Sequence, residues 1–559
     1  MKLSGAEILM RSLIAEGVET IFGYPGGAIM PAYDALYHYK NKLRHVLVRH
    51  EQGAAHAAEG YARIAGKPGV CIATSGPGAT NLVTGIADAM MDSVPIVCIT
   101  GQVAAHLVGT DAFQETDVIG ITTPITKWSY QITKPQEVAE IVNKAFNIAK
   151  SGRPGPVVID ITKNAQIEQC DFFLGMQSPT TPKRAPINKK LLKQAADLLN
   201  NAKRPFILVG HGVQVANAEK EVLELALKGG FPVATTIHGL SSFPSNHPLY
   251  VGLLGMHGRY GANVLTNKAD VILAIGMRFD DRVTGRVSDY AKDANIIHID
   301  IDEAELGKII DVLVAIRADA KDALMQLIPL IKKNNHAMWV KEFRHFDDIE
   351  YEKVTTKELK SESDKIKMAQ VIHLLSDKTK GDAVIVADVG QHQMIAARYY
   401  DFQKPRSFIT SGGLGTMGYA LPASIGAKIA NPRREVIAVI GDGSFQMTLQ
   451  ELATIHQEEL PIKIMVLNNN FLGMVRQWQQ LFFEKRYSFV DLVNPDFVQV
   501  AKGFFIDAHR VEKYSELSDA LDKMLKALGP YFLEVKVEKE GNVFPMVPSG
   551  AACDEIVLE

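Results

Sequence analysis

The chain has 559 residues, 47% of them hydrophobic and 22% charged, with a formal net charge of -3. That length allows three or four domains at roughly 100–200 residues each, and so small a net charge excludes a strong field toward nucleic acid or an anionic membrane. No apolar run reaches the ~18–20 residues that a membrane helix requires. The start, Met1-Lys2-Leu3-Ser4-Gly5-Ala6-Glu7, has neither the apolar stretch of a signal peptide nor the Arg/Ser-rich character of a transit peptide, so a cytoplasmic protein is expected. The four cysteines, Cys71, Cys98, Cys170 and Cys553, have no zinc-type spacing. Cys71 and Cys98 fall inside apolar runs and read as small buried hydrophobes of a reducing compartment.

Along the chain, short Val/Ile-rich runs alternate with longer amphipathic stretches. The runs include Val70–Ala73, Ile96–Thr100, Val157–Ile161, Phe206–Val209, Val271–Ile275, Ile296–Ile301, Val384–Ala387, Val436–Ile440 and Lys463–Leu467. Each has the composition of a buried parallel strand, and the rhythm is that of doubly wound α/β domains. Two stretches break it. Asp171 to Asn188, with Ser178-Pro179-Thr180-Thr181-Pro182, has a loop composition, and Lys332 to Lys365 is charged and reads as a second linker. Three α/β domains are therefore expected, over residues 1–170, 188–331 and 366–559, the first and third alike in outline.

The most informative segment lies in the third domain. Gly441-Asp442-Gly443-Ser444 follows the strand Val436–Ile440, and Asn468-Asn469-Asn470 follows the strand Lys463–Leu467. Open α/β sheets bind ligands just past the carboxyl ends of their strands. One helix, about Gln446–Glu458, fits between the two segments and would make the strand ends neighbours. The Asp442 carboxylate, the Asn469 amide oxygen and the Phe471 carbonyl, joined by diphosphate oxygens, form a hard oxygen shell suited to Mg²⁺. Either half alone reads as an ordinary turn; paired after two strands, they read as a metal and diphosphate site.

This pairing resembles the motif of the thiamin diphosphate enzymes, the pyruvate oxidase and decarboxylase superfamily. Over almost the whole chain, the sequence resembles the catalytic large subunit of acetohydroxyacid (acetolactate) synthase. That resemblance implies thiamin diphosphate, Mg²⁺ and a structural FAD, and three doubly wound domains binding pyrimidine, flavin and diphosphate. It also implies decarboxylation of pyruvate and ligation of the hydroxyethyl group to a second 2-ketoacid, pyruvate or 2-ketobutyrate, in branched-chain amino acid biosynthesis. A homodimer or tetramer with active sites at the subunit interface follows, as does a separate regulatory small subunit.

The resemblance assigns residues as well. Glu51, in Arg49-His50-Glu51-Gln52-Gly53, is on residue type alone a first-turn residue favoured by the helix dipole; the resemblance makes it the acid/base that activates the aminopyrimidine. Gly390, Gln391, His392, Gly443 and Ser444 would contact the diphosphate. Gly415 and Met417 would lie against thiamin, Met417 forcing its bent shape. Arg153, Gly210, His211, Gly212, Met256, His257 and Asp300 would cradle the flavin. Arg282, in Arg278-Phe279-Asp280-Asp281-Arg282, would bind the acceptor carboxylate, for which a guanidinium fork is well suited. Gln114 and Lys163 would be catalytic, and Phe113, Met474 and Trp478 would line the substrate channel. Gln102-Val103-Ala104-Ala105 departs from the Gln-Val-Pro common in the family.

Three other readings compete. A flavin-dependent pyruvate oxidase of the same superfamily lacks the Arg278–Gly285 wording. A nicotinamide dehydrogenase rests on the GxGxxG pattern Gly413, Gly415, Gly418. A non-catalytic binding protein would require a degenerate site.

Overall fold

Every apolar run named above is a strand in the computed structural model, which describes residues 1–172, 186–360 and 363–559. The strands form three six-stranded sheets, and every strand pair within them is parallel. In a parallel sheet covered by helices on both faces, strands are buried on both sides, which is why they read as continuous apolar runs. Ile96–Gln102 and Val157–Thr162 are buried at every position. Cys71 and Cys98 face each other across adjacent strands, both fully buried and free.

Counting strands from the start of each domain, the first and third sheets share the order 2-1-3-4-6-5, and the central sheet runs 3-2-1-4-5-6. The latter is the order of dinucleotide-binding domains, in which the ligand crosses the point where the order reverses. A short antiparallel pair, Lys2–Ser4 with Gln169–Asp171, ties the two ends of the N-terminal domain together.

The first and third domains meet through two helices, Glu51–Ala65 and Ala420–Ala430. Their facing residues are small: Ala54, Ala57, Ala58 and Gly60 against Ala423, Gly426 and Ala427. A methyl group on Gly426 would lie 1.8 Å from the Ala57 carbonyl oxygen, so only glycine permits this approach. The helix Glu51–Ala65 is capped by His50, whose ring accepts the Gln52 N–H, and ends at Gly66 with φ of +67°.

Two expectations differ from what is observed. Residues 332–365 contain a 14-residue helix, Ala337–Glu350, whose Trp339 and Phe343 pack on the central sheet; two aromatics among charges hide this from a composition reading. The helix after Val436–Gly441 begins at Asp442 instead of Gln446 and breaks into Asp442–Thr448, a turn at Leu449–Glu451 and Leu452–Gln457. Ser178–Pro182 lies outside the described residues.

Candidate active site

The strands Val436–Gly441 and Lys463–Asn468 are neighbours, with Gly441 level with Leu467. Asp442 and Asn469 therefore emerge side by side. Both are buried, and both line one small cleft with Gly390, Gln391, His392, Met417, Gly443, Ser444, Phe471 and Met474. Three helices begin at this cleft: Gln391–Tyr399, Asp442–Thr448 and Gly473–Phe482. Three helix N-termini converging on one small space bring their positive dipole ends together and form an anion site. The cleft thus offers oxygen ligands for a hard cation and amide donors for a phosphate, the combination a metal-bound diphosphate requires.

The polar groups there are fixed by their neighbours. Asp442 Oδ2 accepts from Asn494 Nδ2 at 2.7 Å, and the same amide reaches Asn468 Oδ1 at 3.2 Å. Burial pushes the Asp442 carboxyl up to about 6, because enclosure disfavours the charged form. Asn469 Oδ1 accepts the Phe471 N–H at 3.1 Å, which brings that residue's backbone into the site. Gln391 donates to Gln477 Oε1 and to the Gly541 carbonyl. Burial holds the His392 imidazole down to about 3, so it is a neutral ring.

A second, larger cavity of 520 Å³ adjoins the cleft and shares Gly390, Met417 and Met474 with it. Arg153, His211, Gly212, Met256, His257, Arg282, Asp300, Gly415 and Trp478 also line it. It follows the reversal point of the central sheet, between Pro205–Val209 and Val271–Ile275. There the turns of Gly210-His211-Gly212 and Gly276 touch: Gly212 N donates to the Gly276 carbonyl at 2.9 Å. A methyl group on Gly212 would lie 2.6 Å from the Gly276 Cα. Gly210 stands behind this turn, against Met277. Asp300 ends the strand Asn295–Asp300, which pairs with Val271–Ile275, and lines the cavity from that side. Arg282 is half-exposed, its Nη1 3.6 Å from Met256 Sδ. The C-terminal tail holds this wall: Val547 N bonds the Met256 carbonyl, and His257 Nδ1 lies 3.2 Å from the Pro545 carbonyl.

The glycine pattern at 413–418 is not a nucleotide cradle. Asp92 accepts the N–H groups of Gly412 and Gly413 at 3.0 and 2.7 Å, and Asp388 accepts those of Gly418 and Ala420 at 2.9 and 2.8 Å. The amides that would hold a pyrophosphate are bonded to the protein's own carboxylates, which removes the basis of the nicotinamide reading.

Glu51, Phe113, Gln114 and Lys163 line neither cavity. They gather at the carboxyl edge of the N-terminal sheet. Glu51 Oε2 accepts from Asn81 Nδ2 at 2.9 Å, and the Gln114 backbone rests against Gly76 in the turn between. Phe113 is 87% exposed, and Lys163 opens a helix directly after the strand Val157–Thr162. Asn494, Asp92 and Asn81 carry no sequence signal: each reaches its partner through tertiary folding alone.

Family models match the chain along its length. Residues 3–121 match the thiamine pyrophosphate enzyme N-terminal TPP binding domain, residues 192–327 its central domain, and residues 388–535 its C-terminal TPP binding domain. Fold and cleft together define the class, a thiamine pyrophosphate enzyme. Among its relatives, the acetolactate synthase isozyme 2 large subunit of Escherichia coli (strain K12) is 44% identical over 559 residues, 99% of each chain. The acetolactate synthase large subunit of Corynebacterium glutamicum is 46% identical over 99% of this chain and 90% of that protein. Acetolactate synthase 1, chloroplastic, of Oryza sativa subsp. japonica is 44% identical over 99% of this chain and 88% of that protein. The chain belongs to the acetolactate synthase large-subunit family.

Proposed function

We propose that this chain decarboxylates pyruvate and ligates the two-carbon unit to a second 2-ketoacid, giving 2-acetolactate or 2-aceto-2-hydroxybutyrate. The observation that carries this reading is the junction of the two cavities: a cleft with Asp442 and Asn469 opens, past Met417 and Met474, into a space bearing the exposed guanidinium of Arg282. When bound, thiamin diphosphate supplies the carbon nucleophile and the electron sink. Asp442, Asn469 and the Phe471 carbonyl hold Mg²⁺, and the amides around Gly390, Gln391, His392, Gly443 and Ser444 hold the diphosphate. Gly415 and Met417 support the ring system. Glu51 exchanges a proton with the aminopyrimidine. Arg282 orients the acceptor carboxylate, with Gln114 and Lys163 beside the reacting carbons. Phe113, Met474 and Trp478 would line the substrate channel and limit the access of water to it.

The larger cavity fits FAD: its position at the sheet reversal and the Gly210–Gly212 turn suit a dinucleotide, with Asp300 in its lining and Arg153 reaching it from the N-terminal domain. The flavin is structural in this reading. Gly212→Ala is expected to purify with less than about a tenth of the wild-type flavin per chain, because the added Cβ forces the two turns apart. Absorbance near 450 nm measures this.

That Glu51 lines neither the cleft of Asp442 nor the cavity beside it supports a homodimer in which each site takes Glu51 from one copy and Asp442 from the other. The reading further includes a cytoplasmic location and a regulatory small subunit, the latter supported by relatives described as large subunits. Of the described residues, no helix is long and apolar enough to cross a membrane.

Product analysis tests the reaction. With pyruvate alone, one CO₂ should appear per two pyruvates consumed, with acetolactate as product. One CO₂ per pyruvate, with acetate and a reduced electron acceptor, would instead mark a pyruvate oxidase.

A further inference from the structure

The Glu451 carboxylate is fully buried, and its Oε1 accepts two backbone N–H groups from another domain: Arg49 at 3.0 Å and His50 at 3.1 Å. Its Oε2 is held by the Thr454 hydroxyl at 2.7 Å. The two amides belong to the cap residue and its predecessor at the start of the helix Glu51–Ala65. Glu51 is the first residue of that helix. A methyl group on Gly53 would lie 2.5 Å from Glu451 Oε1, so the carboxylate occupies the space at the mouth of the helix, where N–H groups otherwise lack partners. Glu51 is consequently held from two sides, its carboxylate by Asn81 and the two residues before it by Glu451.

Glu451 closes the turn Leu449–Glu451, which continues directly from the helix Asp442–Thr448. The segment that begins at the proposed metal ligand thus ends on the helix that carries the proposed proton-transfer residue of the same chain. We propose that Glu451 is a positioning residue for Glu51: by fixing the Arg49 and His50 amides, it sets where the Glu51 carboxyl meets the aminopyrimidine. This rests on the reading of Glu51 as the group that exchanges that proton. A carboxylate that only stabilised the domain contact would affect folding and leave the chemistry of the folded enzyme unchanged.

The test uses the holoenzyme with thiamin diphosphate, Mg²⁺ and FAD, and compares Glu451→Ala, Glu451→Gln, Glu51→Gln and the double variant Glu51→Gln/Glu451→Ala. Rates of acetolactate formation are measured on protein shown by its Tm to be folded. Glu451→Ala should lower kcat by about 10–100-fold, with the KM for pyruvate within about threefold, because a displacement near 1 Å at a proton-transfer group is sufficient for that loss. Glu451→Gln retains an acceptor oxygen and should keep kcat within about fivefold of wild type. The double variant should be no slower than Glu51→Gln, since residues that act through one another lose activity non-additively. If the alanine variant does not fold, Glu451→Asp, whose carboxylate is one methylene short, takes its place under the same criteria.

Two results would overturn the proposal: kcat within twofold of wild type in folded Glu451→Ala, or a double variant slowed by the full product of the single effects. Wild-type rates in Glu51→Gln would instead overturn the reading of Glu51 itself, and the two failures are distinguishable because that variant is measured alone.

Discussion

Asp442→Asn should lower the affinity for Mg²⁺ by at least about 100-fold and remove activity at ordinary metal concentrations, while making the cofactor-free protein more stable. Loss of even an indirect contact to a metal ligand costs about 10–100-fold in affinity, and Asp442 would be the only carboxylate in direct contact. The stability gain has the opposite origin. Burial holds the Asp442 carboxyl at about 6, against 3.8 for a free aspartate, so ionising it in the fold costs roughly 3 kcal/mol. With the folded value raised, that cost is absent below pH ~3.8, grows as the pH rises and is complete above ~6. The cofactor-free wild type should therefore lose stability as pH rises through this window, and Asp442→Asn should not. At pH 7.5 the variant's Tm should exceed that of wild type by about 3 °C or more, its neutral amide oxygen still accepting from Asn494. Calorimetry of the two cofactor-free proteins at pH 5 and 7.5 checks the sign. A variant less stable than wild type at pH 7.5 would mean that the buried carboxylate is not the liability its surroundings indicate.

Glu51→Gln should lower kcat by about 10²–10⁴-fold, the range for loss of a positioned general acid/base. Gln keeps the size of the side chain and an acceptor for the Asn81 amide, but it cannot exchange the proton. Thiamin diphosphate affinity should stay within about fivefold of wild type, because one neutral hydrogen bond contributes only ~1 kcal/mol. The two variants separate cleanly: raised Mg²⁺ and cofactor restore part of the activity of Asp442→Asn and none of that of Glu51→Gln. Steady-state assays across cofactor concentration make the comparison.

Most long inner strands were legible; Thr20–Gly23 and Val233–Thr235, buried and inside their sheets, are too short to stand out as apolar runs and were missed, as were several edge strands. Trp128–Ile132, Val314–Arg317 and Asp507–Val511 were not among the runs read as strands, and each is the outer strand of its sheet, with only one flank paired. Tyr531–Lys536 lies inside the third sheet but carries a charge at its centre: Glu534, fully buried, accepts from Asn468 and Arg510. Asp442 and Asn469 were readable because each directly follows a strand, so local order placed them at the same sheet edge. The helix start at Asp442 was not, since Gly441 and Gly443 have the composition of a turn. Nor were Asn494, Asp92 and Glu451. Asp92 reaches Gly412 and Gly413 across 320 and 321 residues, and Glu451 reaches Arg49 across 402, contacts set by how domains pack.

The division of the site between copies is open to one direct measurement. Glu51→Gln and Asp442→Asn chains, each nearly inactive alone, are co-expressed or mixed under conditions that exchange subunits, and acetolactate formed from pyruvate is measured. In a mixed dimer one site carries both substitutions and the other carries neither. Random pairing makes half the dimers mixed, each with one intact site, so about a quarter of the wild-type rate per chain should return if catalytic groups from both copies act as a unit. Recovery near that value supports a thiamin-dependent site completed by a second copy. A mixture no more active than its two parents, with subunit exchange verified, would contradict it.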